Sequence, residues 1–148
     1  MTTLVFLIGL GCLVVWLTQR EQPQRDAAAA QQWAQFYHYA LSRRMQLLCV
    51  DDDYQHARQG SKALVYLYGA PTFKRDAWFW WEQVAKGSIV AVQASQGWGP
   101  HTQRDNVLYI GDGPSHSSGV HAVIDAKTLA RARRHLSVAA TAYPVGRQ

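Results

Sequence analysis

The densest set of groups able to do chemistry lies at 111–119, Gly-Asp-Gly-Pro-Ser-His-Ser-Ser-Gly, with His121 just beyond. Glycines and serines leave backbone N–H groups free to form an anion nest. Asp112, Ser115, His116 and His121 would bring a carboxylate, a hydroxyl and two imidazoles to a phosphate- or sugar-bearing substrate. The spacing limits that reading. Phosphate-binding glycine loops feed a helix N-terminus, whereas this stretch precedes a strand-like run. It has neither the Lys-Ser/Thr pair of a P-loop nor the strained serine turn of a nucleophile elbow. The plainer reading is a polar connection between two strands, with His121 a half-buried, hydrogen-bonded strand residue.

Other reactive types are scattered. Asp51, Asp52 and Asp53 follow the apolar run Leu47-Leu48-Cys49-Val50. Hard cations want such clustered carboxylates, yet an acidic turn closing a helix accounts for them equally. His116 and His121 stand five apart, no standard zinc spacing, and Cys49 alone could add a thiolate. A nucleophilic cysteine needs an exposed thiolate, and Cys49 sits among leucines. Cys12 belongs to a different segment, so no disulfide framework emerges. No catalytic set, metal or cofactor is assigned from these residues.

The binding candidates are better patterned. Lys127, Arg131 and Arg134 recur at i, i+4 and i+7, with Leu129, Ala132, Leu136 and Ala139 opposite. If the apolar side docks, the basic stripe faces out, either solvated or against nucleic acid, anionic lipid or an acidic partner, with Arg133 and His135 at its margins. Trp78-Phe79-Trp80-Trp81 read as helix puts Trp78, Trp81, Val84 and Ala85 on the core side. Phe79 then falls opposite, with Glu82 and Lys86, as an exposed apolar contact. Trp98, in Gly97-Trp98-Gly99-Pro100-His101, is a loop aromatic, either a lid or a second contact.

Positioning these side chains falls to the following elements. Residues 4–18 carry no charge and approach the ~17–25 residues of a spanning helix. Trp16 and Arg20 lie at interfacial positions, and no basic start or small-x-small site marks a cleaved signal. Residues 1–19 thus read as a single-pass transmembrane signal-anchor contacting the bilayer through 4–18, and 20–26 as a polar spacer broken by Pro23. Residues 27–148 read as a basic α+β domain. Arg20 and Arg25 point that domain toward the cytoplasm. Trp33, Tyr37, Leu41, Met45 and Leu48 form the apolar stripe of a helix running to about Leu48. Strands are expected at 63–68, 89–92, 107–110 and 120–124, a helix at 76–86 between Asp76 and Gly87, and a last helix from Asp125 to about Ala140. The expected fold is α+β: a transmembrane helix, then a roughly four-stranded sheet packed by about three helices.

Composition agrees with a folded binding domain. The chain of 148 residues is 48% hydrophobic and 17% charged, with six Trp, seven Tyr and four Phe, which excludes a disordered polymer. Its net charge of +5 favours acidic neighbours. The function expected is a non-enzymatic accessory subunit of a membrane-associated assembly, with a protein partner at Phe79, Trp98, Lys127, Arg131 and Arg134. One alternative is a small membrane-tethered enzyme working through the 111–119 loop. Another is a membrane-tethered nucleic-acid-binding module using the C-terminal basic helix.

Overall fold

The computed structural model describes the backbone of residues 2–95 and 107–142, and within these the side chains of 21–93 and 107–138. Helix α1, Thr2–Ser42, is followed by strands β1 (Gln46–Ala57), β2 (Gly60–Leu67), β3 (Lys74–Trp80), β4 (Ile89–Val92), β5 (Ala94–Ser95), β6 (Val107–Ile110) and β7 (Val120–Ile124), then by helix α2, Ala126–Ala142.

The expected transmembrane anchor is corrected here. Residues 4–18 are the first part of α1, which runs without a break through the expected spacer to Ser42, and among the described residues no helix is long and apolar enough to cross a membrane. The single-pass membrane placement, the signal-anchor and the lean toward the cytoplasm fall with it. Pro23 removes one i→i−4 hydrogen bond from the helix, but the turn around it is bridged by the Glu21–Arg25 ion pair. The alanines at 27–30, the best helix formers, carry the helix on.

The helix also stops earlier than its periodicity suggests. Arg44, at φ 54°, forms a left-handed C-terminal turn, with Arg44 N–H donating to Leu41 O at 3.0 Å and Met45 N–H to Ala40 O at 2.9 Å. From Gln46 the chain is strand, so Leu48 belongs to β1 rather than to the helical stripe. The face of α1 packed on the sheet is set by Phe36 and Ala40, and Ala29 is buried two turns earlier. Ala40, being small, lets the helix approach closely, and Tyr37 and Leu41 lie on its exposed margin.

The second correction concerns 76–86. Lys74–Trp80 is a strand, hydrogen-bonded on both edges: antiparallel to β2, with Ala63 opposite Ala77, and parallel to β6, with Ala77 opposite Leu108. Tryptophan and phenylalanine fit a pleated surface better than a helix. With period two, Ala77 and Phe79 turn to one face and Trp78 and Trp80 to the other. The expected roughly four-stranded sheet with about three helices is therefore a seven-stranded mixed sheet, ordered β5-β6-β3-β2-β1-β4-β7, with two helices among the described residues.

The sheet is curled. Strands β4 and β5 are separated by Gln93 alone, yet β4 pairs with β1 and β7 while β5 pairs with β6 at the far end. One short stretch of chain thus holds both margins, which requires the sheet to bend round on itself. The inside of the curl is a core of Leu48, Val50, Ala63, Val65, Ala77, Phe79, Val90, Val92 and Ile110, plugged by Val84. Ser61 closes the same end. It accepts from Val84 N–H at 3.2 Å and donates to Glu82 O at 2.9 Å, so this buried hydroxyl is satisfied. On the outer face, Leu47, Cys49, Ile89, Ala91 and Ile124 meet Phe36 and Ala40 of α1 and Leu129 of α2. Trp78, Val107 and Tyr109, with Trp80 against them, form a third cluster.

Candidate functional site

The 111–119 loop is a tight connection locked by aromatic rings. Asp112 N–H donates to Ser117 O at 2.8 Å, Ser117 N–H to Asp112 O at 3.1 Å and His116 N–H to Gly113 O at 3.3 Å. The Ser118 hydroxyl accepts from Val120 N–H at 3.2 Å. Trp81 sits across the loop, its indole N–H shared between the carbonyls of Asp112 (3.1 Å) and Gly113 (3.2 Å), and its ring stacks on His116 at a 4.3 Å centroid distance. Both stacked residues have left-handed backbone, φ 60° at Trp81 and 54° at His116. Bulky residues hold that conformation only where surroundings over-determine it, and here each braces the other. Trp80 packs beneath, where a Cβ on Gly113 would come within 2.8 Å of its ring.

The amides of Asp112, His116 and Ser117 are thus bonded to carbonyls within the loop itself. Asp112, Ser115 and His116 do share the loop, and His121 follows on β7, exposed. No hydrogen bond joins the side chains of these four among the described residues. The ring nitrogen Nδ1 of His116 instead lies 3.2 Å from Pro114 O. No nucleophile is matched to a base.

The acidic triplet lies in β1, not at a helix end. Each carboxylate has a separate partner: Asp51 with Lys74 at 2.7 Å, Asp52 with Lys86 at 3.1 Å and Asp53 with the His56 ring at 3.3 Å. Nearby Tyr54 donates to Asp76 at 2.5 Å under the Lys62 ammonium. Among the described residues no group of three or more His, Cys, Asp or Glu is placed to hold a metal ion.

Of the expected contact residues, Phe79 is fully buried inside the curl, at 0% exposure, and cannot meet a partner. Trp98 lies outside the described residues. Lys127 is exposed, Arg131 half-buried, and Arg134 reaches back to Asp26 of α1 at 3.4 Å. The stripe is thus partly turned toward the other helix, where its last member is already paired.

The structure gathers instead a corner that sequence reading divided among separate elements. Trp33 on α1 packs against Tyr37 (5.6 Å between centroids) and against Tyr68, in the turn after β2 (5.4 Å), and Tyr37 meets Tyr68 edge-on at 6.2 Å. Tyr68 is fixed by its N–H donating to Leu47 O at 2.9 Å. Tyr37 and Tyr68 are exposed, as is Leu41, one turn on from Tyr37 along α1, and the turn that carries Tyr68 also exposes Phe73, at 78%. Beside Trp33 and Tyr68 a cleft of about 90 Å³ runs along α2, lined by Leu129, Ala132, Arg133 and Leu136.

Beneath the helices lies the cross-strand pair Cys49 and Tyr66. Burial pushes the Cys49 thiol up, opposed by a hydrogen bond with Tyr66 and by the Arg133 charge; burial first, then the neighbouring thiol, raises Tyr66. Both stay neutral near pH 7, so Cys49 is a packing residue rather than a nucleophile. The charge felt by both is that of Arg133, which sequence periodicity placed only at the margin of the basic stripe.

Comparison with protein-family models, with curated proteins and with solved structures finds no match.

Proposed function

We propose that this chain is a non-enzymatic interaction module that engages a protein partner through the corner formed by Trp33, Tyr37, Leu41 and Tyr68, with Phe73 in the turn that carries Tyr68. The observation carrying this reading is the stacked Trp33–Tyr37–Tyr68 group, rimmed by exposed large apolar side chains and flanked by Arg133. Single exposed apolar residues are ordinary, but aromatics grouped beside an arginine have the composition of an interface centre. Anchoring on one helix, one turn and a second helix keeps the rings rigid, so little side-chain entropy is lost on binding.

The enzymatic alternative finds less support, because the 111–119 loop spends its donors internally and pairs no nucleophile with a base. The nucleic-acid alternative is weakened by the Arg134–Asp26 pair, which occupies one of its three cations. A photo-crosslinking amino acid placed in turn at Phe73, Tyr37 and, as a control on another face, Lys62 tests the proposal. Expected is one protein captured from the first two positions and not from the third. Equal capture from all three, or none from any, would rule the reading out.

A further inference from the structure

We infer that the cleft between Trp33, Tyr68 and α2 is a reading pocket for an acidic linear segment of the partner, taking one aliphatic side chain while Arg133 pairs with a carboxylate beside it. This rests on the interaction reading and specifies its chemistry. Size decides the side chain. An enclosed apolar cavity of about 150 Å³ accepts a benzene ring; this cleft, open on one side, has about 90 Å³, room for a single aliphatic side chain such as Leu or Ile. Its walls are apolar: two rings on one side, Leu129 and Ala132 buried along the floor, Leu136 half-exposed at the rim.

Charge decides the neighbour. Arg25, Lys74, Lys86 and Arg134 each have a carboxylate of this chain in reach. Arg133 lines the cleft with no carboxylate against it among the described residues. Beneath it lie the Cys49 thiol and the Tyr66 phenol, both neutral, on which its charge acts. A guanidinium beside an apolar slot favours a carboxylate next to an aliphatic group, with geometry that Lys would reproduce poorly. A second copy of the chain is a poor occupant, since its net charge of +5 opposes approach to a basic rim.

The test titrates the full-length chain with fluorescein-labelled synthetic nonapeptides: a central Leu flanked by glutamates, the same peptide with Ser for Leu, and a third with Lys for each Glu. The first should bind saturably, and each of the others at least tenfold more weakly. Arg133→Glu should weaken the first peptide at least tenfold, with Arg133→Lys intermediate, while Lys127→Glu changes it less than twofold. Equal binding of the Leu and Ser peptides, equal losses for the Arg133 and Lys127 variants, or no binding would each overturn the inference. If the Phe73 and Tyr37 cross-links survive such a result, the interaction surface stands and only the pocket's chemistry falls.

Discussion

At the scale of single residues, two side chains set clear expectations. Asp125 caps α2: its carboxylate accepts from Thr128 N–H at 2.9 Å and from the Thr128 hydroxyl at 2.7 Å. Those bonds hold its pKa below the usual aspartate value. A depressed folded-state pKa means stabilisation that is complete above the ordinary aspartate range, about pH 4, and lost as pH falls below it. Asp125→Ala should therefore cost about 1 kcal/mol near neutrality by denaturant titration, and the gap from wild type should narrow as pH falls below the ordinary aspartate range. Phe79 is the second case. As the largest fully buried side chain, inside the curl, it should cost about 3–5 kcal/mol as Phe79→Ala. Phe73→Ala in the exposed turn should leave the same unfolding curve within about 0.5 kcal/mol.

At the scale of elements, Trp81 ties the 111–119 loop to the end of β3. Trp81→Phe keeps the stack on His116 but removes the indole N–H and both its bonds. The expected result is a loss of about 1 kcal/mol, with the amides of Asp112 and Ser117 exchanging with solvent at least tenfold faster than in wild type. Elements that carried their own signal were legible in the sequence. The runs at 89–92, 107–110 and 120–124 are strands β4, β6 and β7, and Asp125 does start the last helix. Strand β3 was not, because Asp76, Lys86 and Gly87 mimic helix punctuation and its second partner, β6, is supplied from a distant part of the chain. The first half of β1 was read as helix, since Met45 and Leu48 continue a four-residue spacing that the turn at Arg44 interrupts. The aromatic corner was hidden for a related reason. Trp33 and Tyr37 look like core, but Phe36 and Ala40 take the face on the sheet, which leaves Tyr37 turned outward to meet Tyr68.

At the scale of the whole molecule, the sheet buries both faces by different means. Its inner face is covered by its own curvature, and the outer face of β1, β4 and β7 by α1 and α2, with stacked aromatic rings exposed where α1 meets the turn after β2. The charges divide likewise. Two of the carboxylates of β1 are neutralised locally by Lys74 and Lys86, while Arg133 stands beside the aromatic rings. Gln93, between β4 and β5, has a consequence of its own. The residues on either side of it lie far apart in the strand order, β4 next to the β7 margin and β5 at the opposite margin. The link acts as a clasp: β5 cannot leave the curl without pulling on β4, so the closure is held by the chain itself as well as by hydrogen bonds.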